Sequence, residues 1–329
     1  MTDLTALESR SGGAGLPADT STPAVAVDTR RRLQLVLAGL WLLDGVLQLQ
    51  PFMFTKSFAW MTLGPAADEG GPGWVTGPMH WLVNTVWQHP VSTNAAFALI
   101  QLALGIGIAY RPTLRPALAV SIAWSLGVWW LGEGFGGLFA GSANPLSGGP
   151  GAVIFYALIA VLLWPTGSGS ASATTAPYQA AAKIGARAAR IVWVAVWGLL
   201  AVLALLPQNR DPGAAQDAIN DSNAGAPSGL VWLDNRVADL VAGKGLTVAI
   251  VLAVLFALVA VSVLLPWRRA VVAGLVLAFT LAAVIWVFGQ GFGMPFQGMA
   301  TDPNSAPLLA LLAAVYWPRR APIPAEVPA

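Results

Sequence analysis

Apolar residues run through this chain in eight blocks, at roughly 33–54, 92–110, 116–138, 150–164, 190–206, 246–265, 270–292 and 307–317. A helix that spans a bilayer needs about 20 predominantly apolar residues. Most blocks reach that length or come close. The fourth and eighth are short, and the small neutral residues before them, Ser147–Gly151 and Asn304–Ala306, are expected to lengthen each helix. No broken helix is evident. The pattern predicts an all-α polytopic membrane protein with eight transmembrane helices.

Polar residues fill the gaps between the blocks. Residues 1–29 are rich in Ser, Thr, Gly, Ala and Pro and hold no sustained apolar run, so they read as a disordered cytoplasmic tail rather than a signal peptide. Arg30–Arg32 opens the first span. Thirteen of the 17 basic residues fall in the tail, the even-numbered connections and the C-terminus. The other four, Lys56, Arg210, Arg236 and Lys244, fall in odd-numbered connections. The positive-inside rule then places both termini in the cytoplasm. Two long connections, 55–91 and 207–245, face outward. Each contains an amphipathic stretch, Met79–His89 and Leu230–Ala242, expected to lie in the outer interface. The segment 207–225, with Asp211, Asp217 and Asp221, lacks calcium-loop spacing and reads as solvated loop.

The halves repeat. Trp41-Leu42-Leu43 through Pro51 matches Trp197-Gly198-Leu199 through Pro207. Trp81-Leu82-Val83-Asn84 matches Trp232-Leu233-Asp234-Asn235, and Trp129–Gly136 matches Trp286–Gly293. Asn144-Pro145 pairs with Asp302-Pro303, and Trp164-Pro165 with Trp317-Pro318. Four spans is an even number, so the two units are parallel repeats. The organisation is a tail over 1–29, a first four-helix repeat over 30–165 and a cytoplasmic linker over 166–189. A second repeat over 190–318 and a tail over 319–329 follow.

Composition narrows the chemistry. The chain is 56% hydrophobic and 10% charged, against about 25% charged for a soluble domain. With no Cys, it forms no disulfide, thiolate zinc site or iron–sulfur cluster. Two His residues leave little scope for haem, and no metal site is expected. A net charge of +2 does not indicate a nucleic-acid partner. The glycine sequences at 132–137 and 289–293 lack the Gly-Lys-Ser/Thr of a phosphate loop and read as tight helix exits.

Polar groups inside the spans are the remaining candidates. Asp44 lies near the middle of the first span, and Gln48 shares its helix face. Gln101 lies in the second span and Glu133 near the outer end of the third. These four are the candidate binding or proton-handling residues, because intramembrane ionisable groups are costly and by default functional. In the second repeat Asp44 aligns with Leu200, Gln48 with Ala204 and Glu133 with Gln290, which suggests a site in unit one and a scaffold in unit two. The alternative role for these polar side chains is packing and helix register. His80, Asn84, His89 and Gln290 are secondary candidates. His80 and His89 fall on opposite sides of one regular helix, so they do not ligate one metal together.

The stretches Gly39–Gly45 and Gln101–Arg111 give unit one a glycine-containing first helix and a second helix ending in an Arg-bearing turn. In this the unit resembles the DoxX/DoxD-like membrane family, over about 130 residues. That family often carries Glu where this chain has Gln101. The whole chain also resembles duplicated membrane proteins of high-GC bacteria in its Ala, Gly, Trp and Arg usage. The resemblance implies a four-helix unit linked to quinone-dependent oxidation or to membrane oxidoreductase complexes. The leading expectation is a plasma-membrane accessory or redox-associated subunit binding a quinone-like lipophile in the first repeat. Its electrons would pass through a membrane or extracytoplasmic partner. A small-solute or ion transporter and a structural assembly subunit are the alternatives, and an enzyme ranks below all three.

Overall fold

The computed structural model describes residues 28–166, 176–223 and 225–319. Most of the expected N-terminal tail, the Ser/Thr/Ala-rich start of the linker and nearly all of the C-terminal tail lie outside the described residues. Among the described residues there are helices and turns but no strand. The principal helices are α1 (Thr29–Leu47), α2 (Gly73–Gln88), α3 (Pro90–Ala109), α4 (Leu114–Leu131) and α5 (Val153–Leu162) in the first half. The second half contains α6 (Ala186–Ala204), α7 (Ala214–Ser222), α8 (Ser228–Val241), α9 (Gly245–Ser262), α10 (Arg268–Val284) and α11 (Ser305–Val315).

Five helical stretches are long and apolar enough to cross a membrane: Pro90–Ala109, Arg111–Leu131, Ala186–Ala204, Gly245–Ser262 and Arg268–Gly289. Helix α1 has 19 residues, but it begins with Arg30, Arg31 and Arg32 and carries Asp44 in its interior. The outer face of the bundle is apolar. Leu99 is 67% exposed and Val202 63% exposed, among many large side chains that water would disfavour. This surface suits a membrane protein.

The fourth and eighth apolar blocks depart from expectation. Helices α5 and α11 have 10 and 11 residues, about half the length that crosses a bilayer. Ser147–Gly151 does not extend α5: Gly148 and Gly151 take φ of 114° and 102°, and Pro150 lies between them. Asn304 instead caps α11, its side chain accepting from Ser305 N, so only Ser305 and Ala306 join that helix. Both short helices are buried on nearly every face, and they pack against one another at the centre of the bundle. A helix apolar all round belongs in such a place. The irregular backbone before each is tolerated because protein, not lipid, surrounds it.

Close helix contacts hold this arrangement. Helices α1 and α3 cross where a Cβ at Gly45 would lie 2.7 Å from Leu102 Cγ. A Cβ at Gly105 would lie 2.5 Å from Leu42 Cγ and 2.9 Å from the Ala38 carbonyl oxygen. Small residues let the two backbones approach. At the other end of α5, the Arg30 guanidinium donates to the carbonyls of Leu162, Trp164 and Gln179 at 3.1, 2.9 and 2.6 Å. A cation there meets the last carbonyls of the helix, where the helix dipole favours it. The described part of the 166–189 segment is therefore more than a linker. Tyr178 and Gln179 are buried, a helical turn forms at Ala181–Ile184, and α6 has already begun at Ala186.

Helices do form in both long connections, at α2 and α8. The 207–225 segment is not simply solvated. It contains α7, whose Ala215, Ala218, Ile219 and Ser222 are buried, and the Ser222 hydroxyl donates to the Phe288 carbonyl at 2.9 Å.

Candidate functional site

Helical spacing brings the polar residues of the first half together. On α1, Trp41, Asp44 and Gln48 lie three and four residues apart and share a face. On α3, Phe97 and Gln101 are one turn apart, and on α4 the same holds for Trp124 and Val128. Tyr156 lies one turn into α5. These faces surround a cavity of about 420 Å³, bounded also by Phe58, Thr62, Leu63 and Ala66 of the connection between α1 and α2 and by Leu82 of α2. Asp44, Gln48, Gln101 and Glu133 all line it.

The wall is mostly apolar, yet its polar atoms are conspicuously unpaired. Asp44 Oδ1, Thr62 Oγ1, Gln101 Oε1, Trp124 Nε1, Glu133 Oε2 and Tyr156 OH are buried without a hydrogen-bond partner. Asp44 is only 2% exposed. The Tyr156 hydroxyl lies beside it without good hydrogen-bond geometry, and the Tyr156 ring packs on Trp41 at 4.3 Å between centroids. Gln48 is anchored: its Nε2 donates to Asn94 Oδ1 at 2.7 Å, and Asn94 Nδ2 donates back to the Gln48 carbonyl at 2.8 Å. Trp41 Nε1 donates to Ser121 Oγ at 3.0 Å.

The two oxygens of Glu133 have different tasks. Oε1 accepts from the backbone N–H groups of Ala152 and Val153 at 3.2 and 3.3 Å, which cap the start of α5. These are the donors a helix N-terminus leaves open, and the helix dipole favours an acidic group there. Oε2 packs against Gly151 and turns to the cavity. The backbone after Glu133 is left-handed from Gly134 through Gly137, with Phe135 at φ 58°. A Cβ on Gly136 would strike the Pro150 carbonyl, so only glycine allows the loop to fold back over α5.

Sequence reading missed several wall residues. Tyr156, Trp124 and Thr62 look like ordinary membrane-helix or interfacial residues in one dimension. Thr301 and Asp302 come from the second half, from the loop before α11, so the second half is not scaffold alone. Asp302 accepts from Thr301 Oγ1 at 2.8 Å and from Asn304 N at 2.7 Å. Burial pushes its carboxyl above the ordinary value, against the lowering effect of those two bonds. A second, more open cavity of about 530 Å³ adjoins the first. Glu133, Asp302 and Ala66 line both, and Glu69, Asp217 and Asp221 line the second.

The secondary candidates lie elsewhere. His80 and Asn84 are exposed on α2; His80 Nε2 is 3.9 Å from Asp68 Oδ1. His89 is exposed at the start of α3, where its carbonyl accepts from Thr93. Gln290 is buried away from the cavity and caps α11. Its Oε1 accepts from Ala306 N at 3.1 Å, and its Nε2 donates to Ser305 Oγ at 2.9 Å. Among the described residues no group of three or more His, Asp or Glu side chains is placed to hold a metal ion. Comparison with family models, curated proteins and solved structures finds no match to this chain.

Proposed function

We propose that this chain is a multi-pass protein of the bacterial plasma membrane whose first half binds a lipophilic small molecule with a hydrogen-bonding headgroup, of the quinone class. In this reading it serves as an accessory or redox-associated subunit and not as an enzyme, with electrons supplied by a membrane or extracytoplasmic partner. The observation that carries it is the set of six buried, unpaired polar atoms around one apolar cavity. An unpaired buried donor or acceptor costs about 1–3 kcal/mol, so a wall that collects six is poised for a ligand. Trp124 and Tyr156 offer donors to carbonyl oxygens, and Gln101 offers an acceptor to a hydroxyl. Asp44 and Glu133 are the groups to exchange protons with a headgroup. The resemblance to DoxX/DoxD-like proteins supports the same ligand class.

The eight segments are proposed as two parallel four-helix repeats, with both termini cytoplasmic and α2 and α8 at the outer interface. Recurring local geometry supports the repeat. Trp129 Nε1 donates to the Pro150 carbonyl at 2.7 Å, and Trp286 Nε1 to the Pro303 carbonyl at 2.9 Å. Glu133 and Gln290 cap the two short helices alike, and Phe135 and Phe292 share a left-handed conformation at φ 58° and 60°. This register pairs Pro303 with Pro150, where sequence alignment pairs it with Pro145. It sets Leu309 opposite Tyr156, while the sequence alignment sets Leu200 opposite Asp44 and Ala278 opposite Ser121. All three are buried and apolar, and Trp197 Nε1, opposite Trp41, has no partner. The polar set of the first half is thus replaced as a group.

Purified protein should carry quinone extractable into organic solvent, and added decyl-benzoquinone should quench its tryptophan fluorescence saturably. Absence of both sinks the reading. Half-length helices at matching places in the two halves favour a second reading, a small-solute transporter. In reconstituted vesicles that reading requires proton-coupled flux lost in Asp44→Asn.

A further inference from the structure

We infer that the cavity opens sideways into the bilayer between α3 and α4, and that its ligand is a membrane-dissolved molecule whose apolar tail passes through that window. The inference rests on the binding reading above and adds the route and the tail. Helix α4 turns Leu118, Ser121 and Ser125 into the bundle. At 3.6 residues per turn, Ala123 lies about 200° from Ser121, on the opposite face. Ala123 is exposed, yet it lines the cavity together with Gly127. Val120, one turn from both Ala123 and Trp124, is 53% exposed on the same side. The cavity wall therefore runs from the interior of the bundle around α4 to its lipid-facing surface.

The flanking helices explain the gap. They are joined by a short turn at Arg111–Thr113 and touch near it, where a Cβ on Gly107 would lie 2.9 Å from Ala117 Cβ. Toward their other ends the Phe97 and Trp124 rings, 5.8 Å apart, bridge the space. A Cβ at Gly127 would meet nothing within 4 Å, so the window is open at that point. The other way out is the adjoining cavity, rimmed by Glu69, Asp217 and Asp221, a poor path for hydrocarbon. The volume of about 420 Å³ is near the low end of small-molecule sites, so a long tail has to leave through an opening.

The chain has no Cys, so Ala123→Cys introduces a single thiol for a spin label. In phosphatidylcholine nanodiscs the label should collide with dissolved oxygen and be shielded from an aqueous nickel chelate. A Glu69→Cys label should show the reverse. A label at 123 that meets the nickel chelate as readily as the one at 69, or that meets neither reagent, overturns the window. This readout needs no ligand, so it separates failure of the window from failure of the binding reading. Gly127→Leu fills open space and improves helix propensity, so the fold should hold. It should slow association of decyl-benzoquinone about tenfold or more relative to its effect on the tail-free ring. Unchanged association of the decyl compound overturns the proposal.

Discussion

Glu133 allows its structural and ligand-facing roles to be separated. Its Oε1 satisfies two buried backbone donors at the start of α5, Ala152 N and Val153 N, while Oε2 makes no hydrogen bond. In Glu133→Ala both donors lose their partner. Each orphaned N–H costs about 1–3 kcal/mol, and loss of a helix cap about 0.5–2 kcal/mol. Bonds of 3.2 and 3.3 Å belong at the weak end, so the expected loss is about 2 kcal/mol in total. Glu133→Gln keeps an acceptor in place, and Gln290 does the same work at the start of α11 with an amide. Its stability should stay within about 0.5 kcal/mol of wild type. Equilibrium unfolding in mixed micelles, followed by tryptophan fluorescence, measures both. Equal stability of the Ala and Gln variants would refute the cap. Gly151→Ala adds backbone strain at φ 102° to the same loss. The new Cβ would displace the Glu133 carboxyl, so this variant should lose at least as much as Glu133→Ala.

Asp44→Leu copies the second half, where Leu200 is buried; it should stabilise the ligand-free protein by about 1–3 kcal/mol and abolish quinone quenching, measured on one sample. Gly105→Val should overpack the α1–α3 crossing and cost about 1–3 kcal/mol in the same unfolding assay. His80→Ala and His89→Ala should leave quinone affinity unchanged and stability within about 0.5 kcal/mol, since both side chains are exposed and outside the cavity. Asp302 has a carboxyl pKa raised by burial, so its folded form holds a proton to higher pH than its unfolded form. It therefore adds stability below the ordinary carboxylate value of about 4, and this is lost as pH rises through the raised one. Between neutral pH and pH near 4 the melting temperature of wild type should rise relative to that of Asp302→Asn, and parallel profiles would count against it.

The sequence by itself determined the helical class, the membrane character and the residues worth watching. Long apolar blocks permit little besides helices in a bilayer, because every backbone donor must be satisfied within its own segment. Scarce charge made Asp44 and Glu133 visible, and helical spacing placed Asp44 and Gln48 on one face. Only the tertiary structure decided that α5 and α11 are half-length helices packed together at the centre. Local composition predicts a helix through Ser147–Gly151, whereas left-handed glycines and the fold-back over Pro150 end it. Likewise, only three dimensions bring Asp302 from the second half and Thr62 from the connection between α1 and α2 to the wall that holds Asp44. Periodicity reports which face of one helix is polar. It carries no information on which faces meet, because that depends on close approaches such as Gly45 to Leu102 and Gly105 to Leu42 between residues far apart in the chain.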